Sequence, residues 1–143
     1  MSMVKRLATY ISGRNRHRKL RLFMRTFHPD AASRILDVGF ADHEWGPHDN
    51  YLERHYPWPG QLTALGMDEP IEGPRRYPDA TFVRYDGGRF PFDDLQFDIA
   101  HSNAVLEHVG DHERQRHFLS EMIRVAPRLW ITTPSRGFIV DTH

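Results

Sequence analysis

The sequence contains no cysteine. That excludes disulfides, thiolate nucleophiles and thiolate metal sites, and it fits a reducing compartment. Net charge is also missing, with 19 basic residues against 19 acidic ones. A global basic field that would draw the protein to nucleic acid is therefore absent, and no nucleic-acid partner is expected. No apolar run approaches the roughly 20 residues that span a bilayer. The basic N-terminal stretch lacks the uninterrupted apolar core of a signal peptide, so the expected location is the cytoplasm. Internal repeats and low-complexity segments are absent too. Mean hydropathy is low at -0.62, and 27% of the residues are charged, with arginine dominating the basic ones. At 143 residues the chain is long enough for one domain with a real core.

What is present is organised around the stretch from Arg34 to Asp42. Ile35, Leu36 and Val38 form an apolar run of strand length, suited to a parallel strand buried on both faces. Gly39 ends the run where a backbone must turn sharply or approach a ligand closely. Ligands of open α/β sheets bind at the carboxyl ends of the strands, near the point where strand order reverses. The turn from Gly39 to Gly46 is therefore the first place to look for chemistry.

The rest of the chain alternates. Val4 to Phe27 predicts helix in two pieces, broken near Ser12-Gly13, with Leu20, Phe23, Met24 and Phe27 on one apolar face. Arg14, Arg16, Arg18, Lys19, Arg21 and Arg25 share that segment, which would suit peripheral contact with an anionic membrane or simply a solvated face. Residues 1–30 are read as an N-terminal basic helical segment and 31–143 as the main domain. Pro47 suits a first helical position, and a short helix through Asn50, Leu52 and His55 ends before Pro57. Strands are expected at Gln61–Met67, Thr81–Tyr85, Phe97–His101 and Arg128–Thr133. Pro70 to Pro78 allows one helical turn. Asn103 to Val109 predicts a short helix, and Asp111 caps a longer one carrying Phe118, Leu119, Met122, Ile123 and Ala126. Pro134 to Gly137 reads as a turn. Strands alternating with helices imply right-handed crossovers, hence a doubly wound, Rossmann-like parallel α/β sheet of order 3-2-1-4-5.

Four turns converge on one crevice in that arrangement: Asp37-Val38-Gly39, Gly66 to Glu69, Asp86-Gly87 and His101-Ser102-Asn103. This set, in its order and spacing, resembles the class I S-adenosylmethionine-dependent methyltransferases, most closely their small-molecule, quinone-biosynthesis-like branch. The resemblance runs from Ile35 to Thr133. It rests on Ile35-Leu36-Asp37-Val38-Gly39, on Asp86 followed by Phe90-Pro91-Phe92, and on Phe97-Asp98-Ile99 with Val105-Leu106-Glu107-His108-Val109. Glu121 to Pro134, with Arg124-Val125 and Thr132-Thr133-Pro134, completes it.

The resemblance implies S-adenosylmethionine as cofactor and methyl transfer to a small-molecule acceptor. Asp37, Gly39, Phe40 and Ala41 should border its methionine end. Asp68 or Glu69 should hold the ribose hydroxyls. Asp86 should accept from the adenine amino group, with Gly87 offering its N–H, and Ser102 and Asn103 should line the floor. Two departures stand out: Ala41 and His43 occupy positions usually glycine, and Gly66 stands where the ribose carboxylate is usual. Methyl transfer needs proximity, orientation and a dry site. A base is needed only when the acceptor must lose a proton, and His101 and His108 are the candidates.

Other chemistries fit less well. A nicotinamide or flavin site wants glycine-rich phosphate contact, which Ala41 and the acidic loop oppose. Zinc could use His108 and His112, but Gly110-Asp111 breaks the helix between them, so no metal is expected. Ser102 lies outside a Gly-x-Ser-x-Gly elbow. The family fold continues past the fifth strand with an antiparallel pair, whereas this sequence ends at His143. The fifth-strand edge is therefore a candidate homodimer contact. A non-catalytic cofactor-binding scaffold, or an inactive truncated relative, is the alternative reading.

Overall fold

Side-chain alternation along two central strands decides where everything else packs. In β1 (Ile35–Val38), Ile35 and Asp37 face one side of the sheet and Leu36 and Val38 the other. β4 (Ile99–Asn103) pairs with β1 in parallel, with Ile35 opposite Ile99 and Asp37 opposite His101. β2 (Leu62–Gly66) lies on the other side of β1, β3 (Thr81–Arg84) outside it, and β5 (Leu129–Thr132) beside β4. The computed structural model describes residues 3–133, and these form a five-stranded, all-parallel sheet of order β3-β2-β1-β4-β5. That is the order expected from the sequence. The turn expected at Pro134 to Gly137 lies outside the described residues.

One face is covered by α1 (Met3–Phe27) and α2 (Tyr51–His55), where Phe23, Leu52 and Tyr56, the residue just after α2, bury Ile35, Leu62 and Ile99. Phe23 stands edge-on to Trp130, with ring centroids 5.9 Å apart. The other face is covered by α4 (His112–Val125), which sets Phe118, Met122 and Val125 against Leu36, Val38, Leu65 and Ala100. Asp111 caps α4, accepting the Arg114 N–H at 2.9 Å. The loop before β4 is sewn to α4 by Arg124, which donates to the carbonyls of Phe90 and Phe92 and to Glu121. α3 (Glu72–Arg76) is the single turn expected between Pro70 and Pro78.

Three local expectations need correction. α1 runs unbroken through Ser12-Gly13. Gly13 is instead a contact point, since a Cβ there would lie 2.5 Å from the His48 ring. The fourth strand starts at Ile99, because the Phe97 and Asp98 amides bond to Val125 and Arg34 carbonyls as a run-in. It extends to Asn103 because β5 supplies Ile131 and Thr132 as partners. The helix expected from Asn103 to Val109 shrinks to a 3-10 turn at Leu106–His108. Asn103 is used by the strand, and Ala104 takes a positive φ of 58° while its N–H bonds to Thr132.

Candidate active site

A small solvent-open cleft lies at the carboxyl ends of β1 and β4, where the strand order reverses. Three layers build it. Asp37, Val38 and Gly39 come from the end of β1, and His101 and Asn103 from β4. Asn50 and Tyr51 come from the start of α2, and Arg16, Lys19 and Leu20 from α1. Arg16 and Lys19 of α1 thus reach the carboxyl end of the sheet. Period two along β4 puts His101 and Asn103 on the α1 side and Ser102 on the other. Ser102 is accordingly fully buried, its hydroxyl without a hydrogen-bond partner.

Strand register makes the central contact. His101 sits opposite Asp37, and its Nδ1 lies 2.6 Å from Asp37 Oδ1, both side chains being 12% exposed. An ionised carboxylate only accepts, so Nδ1 carries the proton and Nε2 is the basic nitrogen. Phe23 packs edge-on to the imidazole, with centroids 5.4 Å apart. Beside Asp37, Glu53 of α2 is 4% exposed. Burial first, and then the neighbouring Asp37 carboxylate, push the Glu53 carboxyl well above the usual carboxylate range.

The cleft also holds two cations. Lys19 donates to Asn103 Oδ1 at 3.0 Å and reaches Thr132 Oγ1 at 3.4 Å, tying α1 to the ends of β4 and β5. Burial, then the nearby Arg16, lowers its pKa from the usual lysine value. Among the described residues no carboxylate forms an ion pair with either cation.

The loop after β1 is held by side chains where glycines would leave it free. Asn50 bonds both to the Ala41 carbonyl, at 2.8 Å, and to its N–H, at 3.2 Å. Asp42 accepts the N–H groups of Ile71, Glu72 and Gly73, each at 2.9 Å, so it caps α3 from another loop. Burial opposes its charge, but those three bonds prevail and its pKa falls below the usual range. Glu44 pairs with Arg54 at 2.6 Å and accepts from Asn50 and Tyr77, joining the loop to α2 and to the end of α3. None of these anchors was singled out by sequence reasoning. Their signal is visible afterwards as a dense run of Asp, Glu and Asn between Gly39 and Tyr51.

The remaining expected residues spread along the sheet edge away from the cleft. Phe40 is buried against Phe82, with centroids 4.7 Å apart, and so faces the protein interior. A Cβ on Gly66 would lie 2.3 Å from the Phe40 carbonyl oxygen, which explains why no carboxylate stands there. Asp68 accepts the Asp42 N–H at 3.3 Å, and Glu69 pairs with Arg84. Asp86 is exposed and accepts the Gly88 N–H at 2.9 Å across Gly87, with Met67 alongside. His108 is exposed and lies outside the cleft. The cleft thus brings together Asp37, Gly39, His101 and Asn103 of the expected set, and adds Arg16, Lys19, Asn50 and Tyr51. Among the described residues no group of three His, Asp or Glu side chains could hold a metal ion. No helix among them is long and apolar enough to cross a membrane.

A family model described as "Methyltransferase domain" matches residues 51–128, more than half of the chain. The match begins just after the loop in which side chains replace the glycine pattern. Among solved structures, the chain is similar to a SAM-dependent methyltransferase from Aquifex aeolicus, at 17% identity and a TM-score of 0.60, covering 84% of this chain and 67% of that one. It is similar to the cyclase SpnF at 21% identity and a TM-score of 0.60, covering 85% and 47%. A third is phosphoethanolamine N-methyltransferase 1 from Haemonchus contortus, in complex with phosphoethanolamine and S-adenosylhomocysteine, at 13% identity and a TM-score of 0.52, covering 78% and 27%. The chain thus spans two thirds of the first of these structures and less than half of the other two. No curated protein matches the sequence.

Proposed function

Since the chain belongs to the methyltransferase-domain family and has the class I fold, we propose that it binds S-adenosylmethionine and methylates a small molecule whose acceptor atom carries a removable proton. The observation that carries this reading is the Asp37–His101 pair in the cleft at the β1–β4 switch point. The residues present fit the cofactor's chemistry. Arg16 and Lys19, which form no ion pair among the described residues, would hold its carboxylate, and the exposed Gly39 backbone leaves room beside them. Asp86 would accept from the adenine amino group and Gly87 would offer its N–H. Gly66 has no room for a ribose carboxylate, so that contact falls to Asp68.

When bound, S-adenosylmethionine supplies an electrophilic methyl group on a sulfonium with a neutral thioether as leaving group. His101 takes the acceptor's proton at Nε2. Asp37 holds Nδ1–H, fixes the ring and stabilises the imidazolium that results. The apolar wall of Phe23 and Leu20 excludes water behind the imidazole.

Calorimetric titration with S-adenosylmethionine and S-adenosylhomocysteine, beside Asp86→Ala, tests the cofactor assignment. Micromolar binding that Asp86→Ala weakens about tenfold is expected, which corresponds to about 1.4 kcal/mol. A folded chain that binds neither compound would refute it, and the scaffold reading would then lose its cofactor as well.

A further inference from the structure

Glu53 presents a problem that the proposed reaction does not solve. It sits on the buried side of α2, 4% exposed, and both carboxyl oxygens are buried without a hydrogen-bond partner. Among the described residues no lysine, arginine or histidine pairs with it. The group it faces is the Asp37 carboxyl, with Glu44 further off. Two adjacent buried carboxyls do not both ionise, because each charge raises the cost of the other. The question is which one keeps a proton. Asp37 has an N–H donor at 2.6 Å and borders the cleft. Glu53 has no side-chain donor beside it, only its own backbone N–H, and no water-facing side. The proton therefore rests on Glu53, where the one acceptor it faces is Asp37.

We propose that Glu53 is a positioning residue that keeps its proton and directs it to Asp37, so that Asp37 holds His101 Nδ1–H and leaves Nε2 as the proton acceptor of the cleft. The three side chains form a chain from α2 through β1 to β4. Sharing the Asp37 carboxylate with a second donor weakens the hydrogen bond that Asp37 makes to His101 Nδ1–H. The inference rests on the reading of the cleft as the methyl-transfer site. Other charged or titratable groups lining the cleft with His101 are Arg16 and Lys19 from α1 and Tyr51 from α2, while Glu44 from the loop after β1 acts on Glu53. β5 contributes Trp130 opposite His101 and no charge.

NMR titration of the imidazole Cε1–H resonances tests this in the whole chain without cofactor or acceptor, His101 being assigned by its loss in His101→Asn. Glu53→Gln keeps a donor to Asp37 and is expected to leave the His101 midpoint within about 0.3 units of wild type. Glu53→Leu removes the donor, leaves Asp37 a stronger acceptor, and should raise the midpoint by roughly 0.5–1 unit. If Glu53 were ionised, both variants would remove a negative charge and lower the midpoint. That outcome, or no change in either variant, overturns the proposal. The wild-type Glu53 Cδ resonance gives a readout independent of any variant: a protonated-carboxyl shift at pH 7 supports it, and a carboxylate shift refutes it. Failure of cofactor binding would refute the proposed reaction and leave this titration untouched.

Discussion

Single residues decide how the cleft differs from a glycine-lined one. Gly66 is set by the Phe40 carbonyl 2.3 Å from where its Cβ would be. Backbone cannot swing aside as a flexible side chain can, so Gly66→Ala is expected to cost about 1–3 kcal/mol, as overpacking of a close-packed interior does. Urea denaturation measures this, and an unchanged midpoint would show that the loop after β1 yields freely. The same contact explains why the end of β2 was only partly legible. The sequence shows a glycine in place of the usual carboxylate, but the reason is an atom contributed from 26 positions earlier in the chain. Ser102 makes the complementary point. A polar residue beside His101 reads as floor of the site, yet one residue along a strand is the opposite face of the sheet.

At the scale of elements, the loop after β1 and the short α3 act as one unit. Asp42 supplies the cap that α3, with Ile71 at its own N-cap position, does not have. Asp42→Ala therefore leaves three N–H groups without their carboxylate and is expected to cost about 1–3 kcal/mol. Amide exchange should speed up at residues 71–73 while β1 and β4 keep their protection. Uniform loss of protection across the sheet would mean that the cap holds the whole fold instead. α1 shows how element reading succeeds and fails together. Its apolar face of Leu20, Phe23, Met24 and Phe27 was visible from helical spacing, and it packs as that spacing implies. The break at Gly13 was misread because a helical glycine signals either a weak point or a close neighbour. Here the neighbour is His48, 35 positions away.

Across the whole molecule, opposed carboxyls shape the dependence of stability on pH. Asp98 is held below the usual carboxylate range by Arg34, Glu121 by Arg124, and Asp42 by backbone N–H groups that prevail over burial. Their folded values lie below their unfolded ones, so their stabilisation is present above the ordinary range and is lost as pH falls through the folded values. Glu53 has the reverse sign. Its folded value is raised, so its contribution is complete below the ordinary glutamate range and is lost as pH rises through the folded value. His55, lowered by burial and then by Arg54, gains stability with rising pH and partly masks this. The difference between wild type and Glu53→Gln isolates the Glu53 contribution. Melting temperatures of the two should diverge in favour of the variant as pH rises from 5 to 8.5, with parallel acid limbs. Parallel curves throughout would place Glu53 outside the set of groups that titrate on unfolding.

The sequence by itself determined the alternation of strands and helices, the parallel order of the sheet and the place of the crevice. Those follow from local patterns: apolar runs of strand length, capping residues such as Asp111, and the handedness of crossovers. Asp37 and His101 were also legible one at a time, each at the end of a strand. What only the tertiary structure decided is how they are used. Parallel register puts Asp37 beside His101, and α2 brings Glu53 up behind them. α1 lowers Arg16 and Lys19 into the same cleft. Those meetings join residues 16 to 85 positions apart. They depend on register and on which face of a strand or helix is turned inward, and a linear pattern carries neither until the elements have packed.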